Sequence, residues 1–89
     1  GGAVEAFARA ITNELAPIRI NLISPGVIDT PMSPSKGKAR KDFYKNSTKD
    51  NIIKRAGTAN EVAKAIIFAI ENEFITGTTI DIDGGWILS

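Results

Sequence analysis

Apolar residues recur at steps of three or four near the start of the chain: Val4, Phe7, Ala8, Ile11 and Leu15. That spacing predicts a helix from about Ala3 to Leu15, because at 3.6 residues per turn these side chains share one face. Alanine, the best intrinsic helix former, is frequent there. Glu5 and Arg9 stand four apart with the acid first, the favourable order, and Pro17 ends the run. From Ile18 to Ser24 the pattern changes to a mostly apolar stretch, Ile20-Asn21-Leu22-Ile23, without clean alternation. This suits a strand covered on both faces, as in a parallel sheet. Pro25-Gly26 closes it, and a second apolar step, Val27-Ile28, precedes Asp29-Thr30-Pro31.

Between Ser33 and Asn51 the periodicity degrades into Lys, Ser, Asn and Gly, with Phe43 and Tyr44 as the two aromatics. An irregular excursion is expected here, with a short helix near Arg40 to Lys45; a loop of this length is uncommon unless it is functional or mobile. Order returns at Thr58-Ala59-Asn60-Glu61, a capping-box signature in which hydroxyl and carboxylate each satisfy the other residue's backbone amide. The helix it opens runs to about Asn72 and carries a wide apolar stripe through Val62, Ala65, Ile66 and Ile70, so a sheet should cover it. Thr76-Gly77 turns the chain, Thr78 to Ile82 reads as a β-branched strand, Gly84-Gly85 ends it, and Trp86 to Ser89 form an apolar tail.

The order helix, strand, excursion, helix, strand fits a crossover between parallel strands and a layered α/β fold. Two parallel strands do not make a stable sheet; three or more are normally needed. Buried strands need partners on their edges and helices on both faces. The expected architecture is therefore the C-terminal part of a Rossmann-like doubly wound parallel sheet, incomplete on its own. Its missing neighbours must come from another segment or another chain. The opening Gly1-Gly2, with no initiator Met, reads as a boundary inside a domain.

Eighty-nine residues allow one small domain at most, and 43% hydrophobic with 24% charged residues is ordinary globular composition. There is no cysteine and no histidine, which removes disulfides, thiolate nucleophiles, the usual zinc ligands and the usual near-neutral proton shuttle. No apolar run approaches the roughly 18 residues of a membrane span, and nothing reads as a signal peptide; a cytoplasmic setting is expected. Asn46-Ser47-Thr48 fits a glycosylation acceptor pattern, but no secretory context accompanies it.

Charge matters more locally than overall. The chain is formally +1, yet residues 36–55 hold eight cations against Asp42 and Asp50, a local excess of six. One reading is a solvated, mobile lid. The other is attraction of an anionic substrate carrier, such as an acyl-thioester cofactor or an acidic carrier protein. Nucleic-acid binding is not expected, because no aromatic platform, zinc spacing or recognition helix accompanies the patch. Pro25-Gly26 lies past the carboxyl end of a buried strand, where open α/β sheets bind ligands, or it is a plain tight turn. Asp29 reads as a loop-capping or solvated carboxylate. Asp81 and Asp83 alternate on one face, but two carboxylates are too few for a metal site; Asp83 should fix a turn through its side chain. Asn21, polar in a buried strand, needs hydrogen-bond partners and should tie loops together.

Three segments in order resemble the short-chain dehydrogenase/reductase family. Arg19, Asn21, Pro25, Gly26 and Thr30 match its strand and Pro-Gly segment; Arg55 to Ala63 is similar to its R-x-G segment leading into E-V-A; Ile75 to Gly85 is similar to its closing I-T-G strand ending in D-G-G. The opening helix resembles the one that follows the family's catalytic Tyr-x-x-x-Lys. The resemblance makes residues 1–89 the C-terminal segment of a single such domain, with 32–56 as the substrate-loop excursion. It implies hydride transfer between NAD or NADP and a carbonyl or alcohol substrate. Pro25, Gly26, Ile28 and Thr30 are implied to wall the nicotinamide ring, and a homotetramer is the implied assembly. Small residues Ala3, Ala6, Ala8 and Ala10 of the first helix would pack at one interface, and the last strand with Trp86 would build another. The family's glycine-rich turn and its catalytic serine, tyrosine and lysine have no counterpart here, and Tyr44 has Thr48 four residues on rather than lysine. No residue of the segment is therefore given a catalytic role, and the segment alone is expected to be inactive. The competing reading is a non-catalytic assembly or association module without the cofactor-binding half.

Overall fold

The computed structural model describes residues 2–31 and 36–86. In chain order the elements are α1 (Gly2–Leu15), β1 (Leu22–Pro25), β2 (Ile28–Asp29), α2 (Gly37–Ser47), β3 (Gly57–Thr58), α3 (Ala59–Glu71) and β4 (Thr79–Ile82). β1 and β4 pair in parallel, with Leu22 opposite Thr79 and Pro25 opposite Ile82. A second parallel pair, β2 with β3, sets Ile28 against Gly57 and Asp29 against Thr58. The architecture is α/β, with two unclosed parallel sheets, as in part of a Rossmann-like fold.

The first strand starts at Leu22, four residues later than the apolar run suggested. The intervening backbone is used differently: the Ile18 amide donates to Leu15 O at 2.9 Å to close a turn, the Ile20 amide donates to the Thr76 hydroxyl, and Ile20 O accepts from the Gly77 amide at 2.7 Å. The excursion also needs correction. Its helix spans eleven residues rather than the short stretch near Arg40 to Lys45, and Thr48 lengthens its end by donating from its amide and from Oγ1 to Tyr44 O. Little apolar periodicity drives α2, so it was hard to see from the sequence. The β2–β3 pair was not expected, because two-residue strands leave no periodic signal.

Two side chains make the frame. Arg19 donates from Nη1 to the carbonyls of Ala69, Asn72 and Ile75 at 2.9–3.1 Å, and from Nη2 to Ile70 O at 2.9 Å. One guanidinium thus satisfies two carbonyls in the last turn of α3, those of Ala69 and Ile70, together with Asn72 at its cap and Ile75 beyond, and puts a cation at the negative end of its dipole. Asn21 ties the loops as expected: Nδ2 donates to Ile75 O, and Oδ1 accepts from the Thr78 amide. The amino end of α3 carries the full capping box, with Glu61 N donating to Thr58 Oγ1 at 3.1 Å and Thr58 N to a Glu61 carboxylate oxygen at 2.9 Å.

The apolar faces are open. Among the described residues the buried hydrophobics are Ala8 and Ala69, while Phe7 is 66% exposed, Ile70 64% and Phe74 99%. The chain exposes 6665 Å², where a compact monomer of this mass exposes about 5000 Å². Its radius of gyration of 15.4 Å exceeds the roughly 12 Å of a compact domain of this length. Both margins mean that the strands are too few to cover the apolar faces, with α3 packed on β1, β3 and β4 and α1 left largely open. No helix of the described residues is long and apolar enough to cross a membrane.

Candidate functional site

The carboxyl ends of β1 and β4 lie side by side and open onto a cleft of about 470 Å³, lined by Glu5, Pro25, Gly26, Asn51, Asp83 and Trp86 among others. The size falls in the range of small-molecule sites. Its rim is built by two turns. At the first, the Gly26 amide donates to Ile82 O at 2.9 Å, so the chain stays pinned to β4 after β1 ends. A Cβ on Gly26 would lie 2.9 Å from both Cα and Cβ of Asp83, closer than such atoms approach. The group that comes near this glycine is thus Asp83 of the same chain, and glycine is required for that packing whatever binds in the cleft.

At the second turn Asp83 Oδ1 accepts from the Gly85 amide at 2.9 Å, as its place before Gly84-Gly85 suggested. Gly84 and Gly85 both take positive φ, 66° and 84°, and Gly84 O accepts from the Ile53 amide at 2.8 Å. That bond anchors the return of the excursion to the sheet. The tail beyond Trp86 lies outside the described residues.

Pro25 and Gly26 line the cleft, whereas Ile28 and Thr30 sit one turn further along. Ile28 lies in β2, with Cδ1 against Gly57. Thr30 O accepts from Arg40 Nη2 at 2.9 Å, so the loop after β2 is tied to α2. Asp29 is exposed to solvent, as its reading as a solvated carboxylate expected, and it also forms an ion pair: its Oδ1 accepts from Arg40 Nε at 3.1 Å and from Arg40 Nη2. The hydrogen bond to the Asp29 carboxylate raises the Arg40 guanidinium above its ordinary pKa, so the cation is retained. Arg55 grips Glu61 with two bonds of 2.9 Å. That grip, helped by the Thr58 amide, lowers the Glu61 carboxyl from 4.5 to about 2. Among the described residues no three His, Cys, Asp or Glu side chains gather as a metal site would need, Asp81 and Asp83 included.

The residue that sequence reasoning passed over is Asn51. It is 4% exposed and lines the cleft, yet its side-chain amide makes no hydrogen bond among the described residues. Buried amides are normally paired, so Asn51 holds a donor and an acceptor at the cleft with no partner among the described residues. A lone Asn in a polar stretch gives no periodic sign of this; only the fold buries it.

Residues 2–87 match the family model described as Enoyl-(Acyl carrier protein) reductase. The chain is 37% identical over 87 residues to the 3-oxoacyl-[acyl-carrier-protein] reductase of Homo sapiens, covering 94% of this chain and 34% of that protein. It is 33% identical over 92 residues to the short-chain reductase protein NovJ of Streptomyces niveus, covering 94% of this chain and 35% of the relative. The chain thus spans about a third of the length of the curated relatives it matches. Its structure superposes with a TM-score of 0.83 on a small-chain dehydrogenase solved in complex with NADPH, at 38% identity, covering 99% of this chain and 41% of that one. A family match across nearly every residue, with the Arg19–Asn21–Pro25–Gly26 strand and the Asp83–Gly84–Gly85 turn built as the motifs require, means that the chain belongs to the short-chain dehydrogenase/reductase family and corresponds to the C-terminal portion of its domain.

Proposed function

We propose that these residues form part of an oxidoreductase that transfers a hydride between NAD or NADP and a carbonyl or alcohol carbon. The observation that carries this reading is the cleft at the carboxyl ends of two parallel strands, walled by Pro25 and Gly26, where open α/β sheets bind ligands. The similar small-chain dehydrogenase was solved with NADPH, and the human relative is a 3-oxoacyl-[acyl-carrier-protein] reductase. The volume of the cleft and its apolar Pro25 wall fit a planar nicotinamide ring. When bound, that group supplies or accepts the hydride.

This segment's part is placement. Pro25 and Gly26 flank the ring, Ile28 fills the space beyond, and Thr30 offers a hydroxyl from the loop that Arg40 steadies. Asn51 supplies the donor and acceptor that the chain itself leaves unused. Residues 32–56 act as the substrate lid, hinged where the Ile53 amide meets Gly84. The proton that accompanies the hydride comes from outside residues 1–89, where the family resemblance puts the catalytic tyrosine. The open faces of α1 and α3 pack against the rest of the domain and, in the assembly, against further subunits of a homotetramer.

The test is oxidation of NADH and NADPH by the full-length polypeptide with carbonyl substrates, alongside its intact mass. Turnover by a protein of about one full domain, lost in residues 1–89 alone, supports the reading. A native 89-residue product that assembles without turnover makes it an association module instead.

A further inference from the structure

The basic segment is not uniformly basic in space. Its two guanidinium groups are cancelled locally, Arg40 by Asp29 and Arg55 by Glu61. None of its six lysines is so paired among the described residues, and three of them line one depression. Lys41 and Lys45 lie one turn apart on α2, and Lys54, on the chain that returns to β3, lines the same depression. None of the three has an ion-pair partner among the described residues, and Asp42 and Asp50, the acids of the segment, pair with none of them.

Lys54 is also held in place. Its Nζ donates to Lys49 O at 2.8 Å and to Asn51 O at 2.9 Å. An ammonium has three donors, so one remains for something else. All three lysines line one depression of about 320 Å³, closed further by Tyr44 and Thr58. Like charges gathered around a low-dielectric wall repel one another, and a bound anion relieves that repulsion. Lysine is a compact point charge suited to phosphate oxygens. A space of this size admits a phosphate or pyrophosphate group rather than a protein surface.

We propose that Lys41, Lys45 and Lys54 form an anion site for a phosphate or pyrophosphate group. The site shares no lining residue with the cleft at Pro25-Gly26 and does not depend on the hydride-transfer reading. It lies beside it, because Asp29 on its wall sits between Ile28 and Thr30. The ligand is a free phosphate ion or the phosphate ester of a larger molecule, the same chemistry from two sources.

Calorimetric titration of the full-length protein with inorganic pyrophosphate at low ionic strength tests the site. Two double variants change net charge equally: K41E/K45E inside the pocket, and K36E/K38E on the exposed start of the same segment. Saturable binding is expected, weakened about tenfold or more by K41E/K45E and by less than about twofold by K36E/K38E. Lys54→Gln, which leaves α2 untouched, should weaken binding in the same direction. Absence of saturable binding, equal weakening by both double variants, or no effect of Lys54→Gln overturns the proposal. Inorganic phosphate and glycerol phosphate then distinguish the sources: comparable binding of the two means that an ester is accepted, and binding of inorganic phosphate alone means a free ion.

Discussion

The sheet frame and the α2 excursion are held by different kinds of bond. In the frame, Arg19 and Asn21 reach backbone groups 50 to 57 residues away, closing β1, α3 and the turn before β4 into one unit. In the excursion several side-chain bonds stay within five residues: Thr48 to Tyr44, Lys54 to Lys49 and Asn51. The bonds that tie it to the frame are few, chiefly Arg40 to Asp29 and Thr30, and the Ile53 amide to Gly84. A region closed by long-range bonds cannot open without losing the fold. A region closed by local ones can move as a piece. The first is suited to position a ligand and the second to cover it.

The largest expected effect lies in the frame. Arg19→Met removes four charge-assisted bonds at the end of α3 and should cost about 2–3 kcal/mol in urea unfolding of the full-length protein. A loss within error would mean that α3 is held by packing alone, and the contrast between the regions would fail. Gly26→Ala forces Asp83 to shift and should cost about 1–3 kcal/mol. Its affinity for reduced nicotinamide should fall too, because the rim of the cleft moves with Asp83. Unchanged affinity beside lost stability would confine Gly26 to a packing role.

Thr58→Ala removes the N-cap and should cost about 1 kcal/mol. The same end of α3 should be sensitive to acid. Glu61 titrates lower in the folded chain than its ordinary 4.5, so its contribution is complete above pH 4.5 and is lost as pH falls toward about 2. Glu61→Gln should flatten the stability profile in that window, and an unaltered profile would remove the Arg55–Glu61 pair from the account.

The smallest change in global stability is expected at the tie between the regions. Arg40→Met breaks an exposed ion pair and should leave global stability in urea nearly unchanged. Hydrogen exchange in α2 should nonetheless speed up while α3 stays protected. Equal acceleration in both helices would show that they open together.

Much of the frame was legible in the sequence. The periods of α1 and α3, the capping box at Thr58–Glu61, the bonding need of Asn21 and the turn role of Asp83 follow from local chemistry or from a polar residue in an apolar run. The candidate site was legible only in part. Pro25 and Gly26 could be placed at a strand end, but the cause of the glycine, Asp83 at 2.9 Å, lies 57 residues away.

What the sequence determined by itself is the order of elements, their caps and the excess of apolar surface over what two strands can cover, since these depend on neighbours within a few positions. Tertiary structure decided the pairing of β2 with β3, the burial of Asn51, the cancelling of Arg40 and Arg55, and the convergence of Lys41, Lys45 and Lys54. Each of these depends on distances between residues remote in the chain, and periodicity carries no record of such distances.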